Sequence, residues 1–364
     1  MAHTRGEPHR RRVRLSGDRR GDRVHRLRSE RPGLSRDNLV RAPRAALLGD
    51  AAPRHAAGED PGVPHVLLAA PVTTGAPRWY AHGYNRAGFY RLAGAAGLLP
   101  RRARLGLAVI AADIAVRRMP VERAMVRQNL RRVTGASETE LDAITRDVFR
   151  DFAMCFADLV STNRRPADKL RGYLAGVTGA DRLGETGDGV ISLTAHLGNW
   201  ELGGRILAWR SARPTHVVVA DDTARGLERW VRRGGDGVRF ISRSRATTAV
   251  TLLAALRRGE VVALQGDRAL GGRRDVRAPF FGRPAPFPLG PFVLARASGA
   301  PIVPAFCVLG PDHRYTITLH EPFTVKAGGE ADALARWVGV LEHAVREHPT
   351  QWFNFYDIWG PAGA

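Results

Sequence analysis

Polar and apolar positions change texture twice along the 364 residues. Up to about residue 62 there is no sustained periodicity, and arginine, glycine, proline and aspartate dominate with almost no aromatic side chains. Such a segment buries too little apolar surface to offset its chain entropy, so residues 1–62 are expected to form a disordered basic tail. From Trp79 to Arg165 the spacing becomes helical, with Leu105, Val109, Ala112 and Val116 recurring at intervals of three and four. Ser137 followed by Glu140 has the form of a capping box that opens a helix running through Val148, Phe152 and Phe156. After Gly172 short apolar runs alternate with helical stretches. Strands are predicted at 189–194, 215–220, 238–241, 261–265, 302–309 and 315–319, and helices near 199–210, 223–233, 246–258, 289–298 and 331–347. This alternation implies an α/β fold over residues 170–360, a central mixed sheet flanked by helices.

The helical segment, about 79–165, carries Tyr80, Tyr84, Phe89, Tyr90 and Leu92 beside Arg86, Arg91, Arg101, Arg102 and Arg104. An apolar and aromatic face edged by arginine suits a helix lying in the surface of an anionic bilayer, and equally a helix packed on a domain with a solvated charged edge. The most apolar early stretch, Leu105 to Val116, contains Asp113 and falls short of the roughly 20 residues that a spanning helix needs. No apolar run of secretory type follows the basic N-terminus. The expectation is a protein that lies on a membrane rather than crosses it.

Charge sharpens that picture. Lys and Arg number 56 against 35 Asp and Glu, a formal net charge of +21. Residues 1–70 hold 15 arginines and 8 acids, and the only lysines of the chain are Lys169 and Lys326. Arginine suits phosphate because its planar donors grip two oxygens at once, so phospholipid headgroups and nucleic acid are both compatible. The two cysteines, Cys155 and Cys307, lie far apart in apolar stretches, which excludes a disulfide framework and favours buried thiols.

The candidate chemistry sits where the strand Val190-Ile191-Ser192-Leu193-Thr194 runs into Ala195-His196-Leu197-Gly198-Asn199-Trp200-Glu201. A side chain at a strand's carboxyl end, just before a helix, is exposed at the edge where open α/β sheets bind ligands. An imidazole there has the basicity to take a proton from an attacking hydroxyl near neutral pH. A carboxylate on its other nitrogen would fix the tautomer. Glu201 is one candidate, although an ideal helix would set the two residues about 140° apart.

The wording H-L-G-N-W-E resembles the H-x4-D/E motif of the glycerolipid acyltransferase superfamily, and specifically the lipid A biosynthesis (lauroyl/myristoyl) acyltransferases and the related phosphatidylinositol mannoside acyltransferases. Four further blocks resemble the same family in the same order: Gly259-Glu260-Val261-Val262 through Gly266-Asp267-Arg268; Pro279-Phe280-Phe281-Gly282-Arg283-Pro284-Ala285; Ser298-Gly299-Ala300-Pro301-Ile302-Val303-Pro304, preceded by Ala295; and Pro349-Thr350-Gln351-Trp352-Phe353-Asn354-Phe355. The resemblance implies a glycerolipid acyltransferase-like fold with membrane-associated N-terminal helices, and a catalytic set of His196, Glu201 and Asp267. Either acid is a candidate partner of the imidazole. It further implies substrate contacts from Asn199, Arg268, Arg243, Arg245, Phe281 and Arg283, with Phe281 and Arg283 shaping an acyl channel and holding an anionic group. The reaction it implies is transfer of a fatty acyl group from acyl-CoA or acyl carrier protein to a hydroxyl of a glycolipid. The expected setting is the cytoplasmic face of the inner membrane, as a monomer that needs no cofactor or metal. Backbone amides near Gly198 are the expected support for the oxyanion.

Rival classes lack their signatures. No helix-turn-helix, zinc-finger or RNP pattern accompanies the positive charge, so nucleic acid is not an expected partner. No G-x-S-x-G elbow supports a serine hydrolase, no G-x4-G-K-[ST] loop supports phosphoryl transfer, and His196, Glu201 and Asp267 lack a second histidine at metal-ligand spacing.

Overall fold

The computed structural model describes residues 87–162, 165–183, 188–219, 237–243, 246–269 and 275–360. The tail expected at 1–62, the helix expected near 223–233 and Arg245 lie outside them.

The chain opens with four helices, α1 (Ala87–Ala96), α2 (Arg101–Arg118), α3 (Pro120–Thr134) and α4 (Glu138–Thr162). The capping box at the start of α4 is closed: the Ser137 N–H donates to Glu140 Oε2 at 2.9 Å and the Ser137 hydroxyl to the same oxygen at 2.7 Å. Strands β1 (Leu174–Thr178), β2 (Val190–Thr194), β3 (Thr215–Val219), β4 (Val238–Ser242), β5 (Val261–Gln265), β8 (Ile302–Leu309) and β9 (Tyr315–Leu319) build one seven-stranded sheet. Its order is β1-β9-β8-β2-β5-β3-β4. The five strands from β8 to β4 are mutually parallel, whereas β9 pairs antiparallel with β8 and carries β1 beside it. The sheet is therefore mixed, as expected. Helices α5 (Trp200–Ser211), α6 (Thr248–Arg257), α7 (Gly290–Ser298) and α8 (Glu330–Glu347) supply the covering layers.

β2 lies at the sheet's centre and all five of its residues are buried, which is why its sequence holds no charged residue and only the small hydroxyls of Ser192 and Thr194 among aliphatic side chains. Its alternation feeds two cores. Ile191 and Leu193 face a cluster built with Leu252 and Leu256 of α6, Phe292 of α7 and Trp337 and Leu341 of α8. Val190 faces the opposite cluster, formed by Leu202 and Ile206 of α5 and by Val126, Leu141, Val148 and Phe149 of the N-terminal helices. The helical segment thus shares a core with the sheet. Its outer face is different, because Leu92, Leu98, Leu107, Ile110, Ile114 and Val121 are exposed.

Two elements were not legible in the hydrophobic pattern. β1 is one. The other is a separate hairpin of β6 (Asp275–Phe280) and β7 (Arg283–Pro288), whose Pro284, Pro286 and Pro288 break the strand signal. In a two-stranded ribbon alternate residues need no partner for their N–H, so the prolines are tolerated at those positions. Phe281 and Gly282, with φ of 47° and 73°, form the primed turn that suits a two-residue hairpin. Helix α8 steadies this turn: Glu342 Oε1 accepts the Phe281 N–H at 2.5 Å, and the Arg346 guanidinium lies 4.8 Å from the Phe281 ring centre.

One buried ionic cluster pins the N-terminal helices to the sheet. The fully buried Asp158 of α4 accepts from Arg101 at 2.6 Å, from Arg104 at 3.2 Å and from the Tyr315 hydroxyl of β9 at 3.0 Å. Removing a partner from such a cluster leaves charge buried without compensation, which costs about 3–5 kcal/mol. Asp158→Ala is accordingly expected to lower stability by about that amount, and Tyr315→Phe, which removes one neutral donor, by about 1 kcal/mol, in chemical denaturation of the purified protein.

Candidate active site

The register of the central strands builds the site. β2 and β5 are parallel neighbours with Thr194 opposite Gln265, so the residues two beyond each strand, His196 and Asp267, emerge side by side at the carboxyl edge. Asp267 Oδ1 lies 2.8 Å from His196 Nδ1, and Asp267 Oδ2 accepts the backbone N–H of His196 at 3.1 Å. One carboxylate therefore holds both the ring and the main chain of the same histidine. The Asn354 amide adds a donor to Oδ2 at 3.3 Å.

Asp267 is fully buried and the imidazole 19% exposed, so the carboxylate is sealed while the ring stays within reach of a ligand. Burial alone would raise the Asp267 carboxyl, but the neighbouring His196 and Arg268 outweigh it and hold the group well below the usual carboxylate range. The imidazole is pushed below its ordinary value by burial and by the Arg268 charge, with Asp267 opposing them. At neutral pH the pair is thus a carboxylate accepting Nδ1–H from a neutral ring, which leaves the Nε2 lone pair to accept a proton.

The loop carrying His196 is held from three sides. Gly198 N–H donates to the Gln351 carbonyl at 2.9 Å, Asn199 N–H to the Cys307 carbonyl at 2.8 Å, and Phe353 N–H to the His196 carbonyl at 2.8 Å. Gly198 has φ of +63°, and a Cβ built on it would come within 2.0 Å of the Cys307 oxygen. Only glycine fits where the loop crosses the end of β8.

The structure separates the residues implied as substrate contacts. Asn199 is buried and caps α5 through Oδ1, with Nδ2 donating to the Cys155 carbonyl at 3.0 Å and to the Tyr315 hydroxyl at 3.1 Å. Arg268 is beside the dyad, where Nε donates to Asn354 Oδ1 at 2.8 Å and Nη2 to the Phe353 carbonyl at 2.6 Å. Phe281 and Arg283 are on the β6–β7 hairpin, and Arg243 is exposed just past β4. Glu201 sits in the first turn of α5 and lines a cleft beneath that helix; the acid bonded to the imidazole is Asp267. Of the backbone amides near Gly198, where support for an oxyanion is expected, those of Gly198 and Asn199 are committed to carbonyls. In sequence Asn354 and Gln351 are only members of a C-terminal block; the bond of Asn354 to Asp267 and the approach of the Gln351 carbonyl to the Gly198 amide follow from long-range packing that no local pattern encodes.

A cleft runs between α5 and the sheet. It is lined mainly by apolar side chains, including Trp200, Leu207, Val217, Phe240, Ala263 and Phe306. The ring of Trp200, one of the lining residues, lies 6.4 Å from the imidazole, centre to centre. Among the described residues, no cluster of three or more His, Cys, Asp or Glu is arranged to hold a metal ion.

A model of the bacterial lipid A biosynthesis acyltransferase family matches residues 89–360, from α1 through the C-terminal segment behind the dyad. The chain belongs to this family. Two proteins of Mycobacterium tuberculosis, from strains CDC 1551 and H37Rv, are similar to it, and each is named phosphatidylinositol mannoside acyltransferase. They are 25% identical to it over 249 and 250 residues, covering 64% of this chain and 76% of each relative. As a member of the lipid A biosynthesis acyltransferase family the protein is an acyltransferase.

The electrostatics of this acyltransferase's dyad can be read directly. Histidine titration by NMR is expected to place His196 below the ordinary imidazole value of about 6.5, and Arg268→Gln, which removes the repelling cation, to move it upward. A His196 titration unmoved by the Arg268 substitution would contradict the assignment.

Proposed function

We propose that the protein transfers a fatty acyl group from a thioester, acyl-CoA or acyl carrier protein, to a hydroxyl of a glycolipid, with His196 as general base. The single observation that carries this reading is the Asp267-held, partly exposed imidazole at the carboxyl edge of the sheet, in a chain of the lipid A biosynthesis acyltransferase family. His196 Nε2 takes the hydroxyl proton as the oxygen adds to the thioester carbon, and Asp267 stabilises the imidazolium that forms. The acyl chain lies in the cleft, where about 0.8 kcal/mol per buried CH₂ favours its binding. The names of the mycobacterial relatives support a mannosylated phosphatidylinositol as acceptor; a lipid A precursor is the counterpart suggested by the family's name.

The outer face of the N-terminal helices supports work at a membrane surface. Leu107, Ile110 and Ile114 form one exposed stripe on α2, with Arg102, Arg117 and Arg118 exposed on the same helix. Apolar side chains enter the interfacial layer while the guanidinium groups meet anionic headgroups. No helix of the described residues is long and apolar enough to cross a membrane. The cytoplasmic leaflet of the inner membrane, where thioester donors are available, is the proposed location.

Two outcomes test the reading. Mass spectrometry of membrane lipids should show one glycolipid losing a single acyl chain when the gene is deleted. Wild-type protein should restore that lipid and His196→Ala should not, because general-base catalysis contributes about 10²–10⁴ in rate; restoration by His196→Ala would rule the mechanism out. For the membrane contact, replacing Leu107, Ile110 and Ile114 together by Gln should weaken co-sedimentation with phosphatidylglycerol vesicles at least about tenfold. Unchanged co-sedimentation would remove α2 from the interface.

A further inference from the structure

When a hydroxyl adds to a thioester, charge collects on the carbonyl oxygen and needs a hydrogen-bond donor in a water-poor site. The Gly198 and Asn199 amides beside the base are occupied. A buried donor at the same sheet edge is not: Gln265 Nε2 has no hydrogen-bond acceptor among the described residues. Gln265 ends β5 directly opposite Thr194 of β2. Strand pleating sends it to the same face as Thr194 and Ala263, both of which line the apolar cleft. Two residues further along each strand stand Asp267 and His196. The orphan amide is therefore one pleat behind the dyad, on the face of the sheet along which the cleft runs. A buried N–H without an acceptor destabilises the free protein, and such a group is accounted for when a ligand completes it.

We propose that Gln265 donates from Nε2 to the carbonyl oxygen of the acyl group whose chain fills the cleft, and stabilises the oxyanion formed there. This rests on the acyl-transfer reading above. The acceptor oxygen bonds to the thioester carbon as its proton passes to His196 Nε2, and the carbonyl π pair moves onto the oxygen that faces Gln265. Collapse restores the C=O bond and breaks the C–S bond, and the departing sulfur takes the proton from the imidazolium.

Gln265→Met keeps the side chain's length and removes the donor. With palmitoyl-CoA as donor and the producing organism's own polar lipid extract as acceptor in mixed micelles, thiol release is expected to show kcat reduced about 10²–10³-fold, the usual cost of one oxyanion donor. KM should change little, and the melting temperature should stay level or rise because an unsatisfied polar group has been removed. Gln265→Glu, which sets negative charge against the oxyanion, should be slower still. A wild-type kcat for Gln265→Met, or a loss of rate accompanied by a lower melting temperature, would overturn the proposal. His196→Ala measured in parallel separates the two levels: an active His196→Ala defeats the acyl-transfer mechanism itself, whereas an inactive His196→Ala beside a fully active Gln265→Met defeats only the donor.

Discussion

The contact between Asp267 and His196 sets the terms for the rest of the molecule. A carboxylate can be buried only if its oxygens are satisfied, and Asp267 meets that demand with the imidazole, the His196 main-chain N–H and the Asn354 amide. The same bonds fix the ring's tautomer and turn Nε2 outward. Sealing the acid and presenting the base are a single arrangement, and it requires β2 and β5 to be parallel neighbours in exact register.

Everything around the pair restricts movement. The C-terminal segment returns to the front of the sheet, where Gln351 and Phe353 bind the main chain on either side of Leu197 and Asn354 joins Asp267 to Arg268. Behind the loop, Asn199 links the start of α5 to Tyr315, and Tyr315 links it to the buried Asp158 and its two arginines on α2. An unbroken chain of bonds thus runs from the helix with the exposed apolar stripe to the residue that caps the helix after the base. Positioning of this kind supports general-base chemistry, whose efficiency depends on geometry held before substrate arrives.

Much of this was legible in the sequence, for identifiable reasons. The central strands of the parallel block, β2 and β8, are buried almost throughout and so appear as short, mainly apolar stretches, and the capping box at Ser137 and Glu140 is a local signal that needs nothing from elsewhere. His196 was legible because a strand ending in a histidine before a helix places it at the ligand edge. Its acid was not: Glu201 and Asp267 were equally open until the register of β2 with β5 put Asp267 at the ring. The β6–β7 hairpin was hidden by prolines that a two-stranded ribbon tolerates and a central strand does not. Sequence does not reveal that, among the amides near Gly198, those of Gly198 and Asn199 are occupied by the Gln351 and Cys307 carbonyls.

The central claim is that Asp267 makes His196 a competent base, and the single-turnover rate of acyl transfer by Asp267→Asn tests it most directly. Asparagine preserves the shape of the site but loses the charge, and it permits the wrong imidazole tautomer, so a fall of about 10³–10⁴ is predicted with the circular dichroism of the folded protein intact. A wild-type single-turnover rate in folded Asp267→Asn would contradict the account.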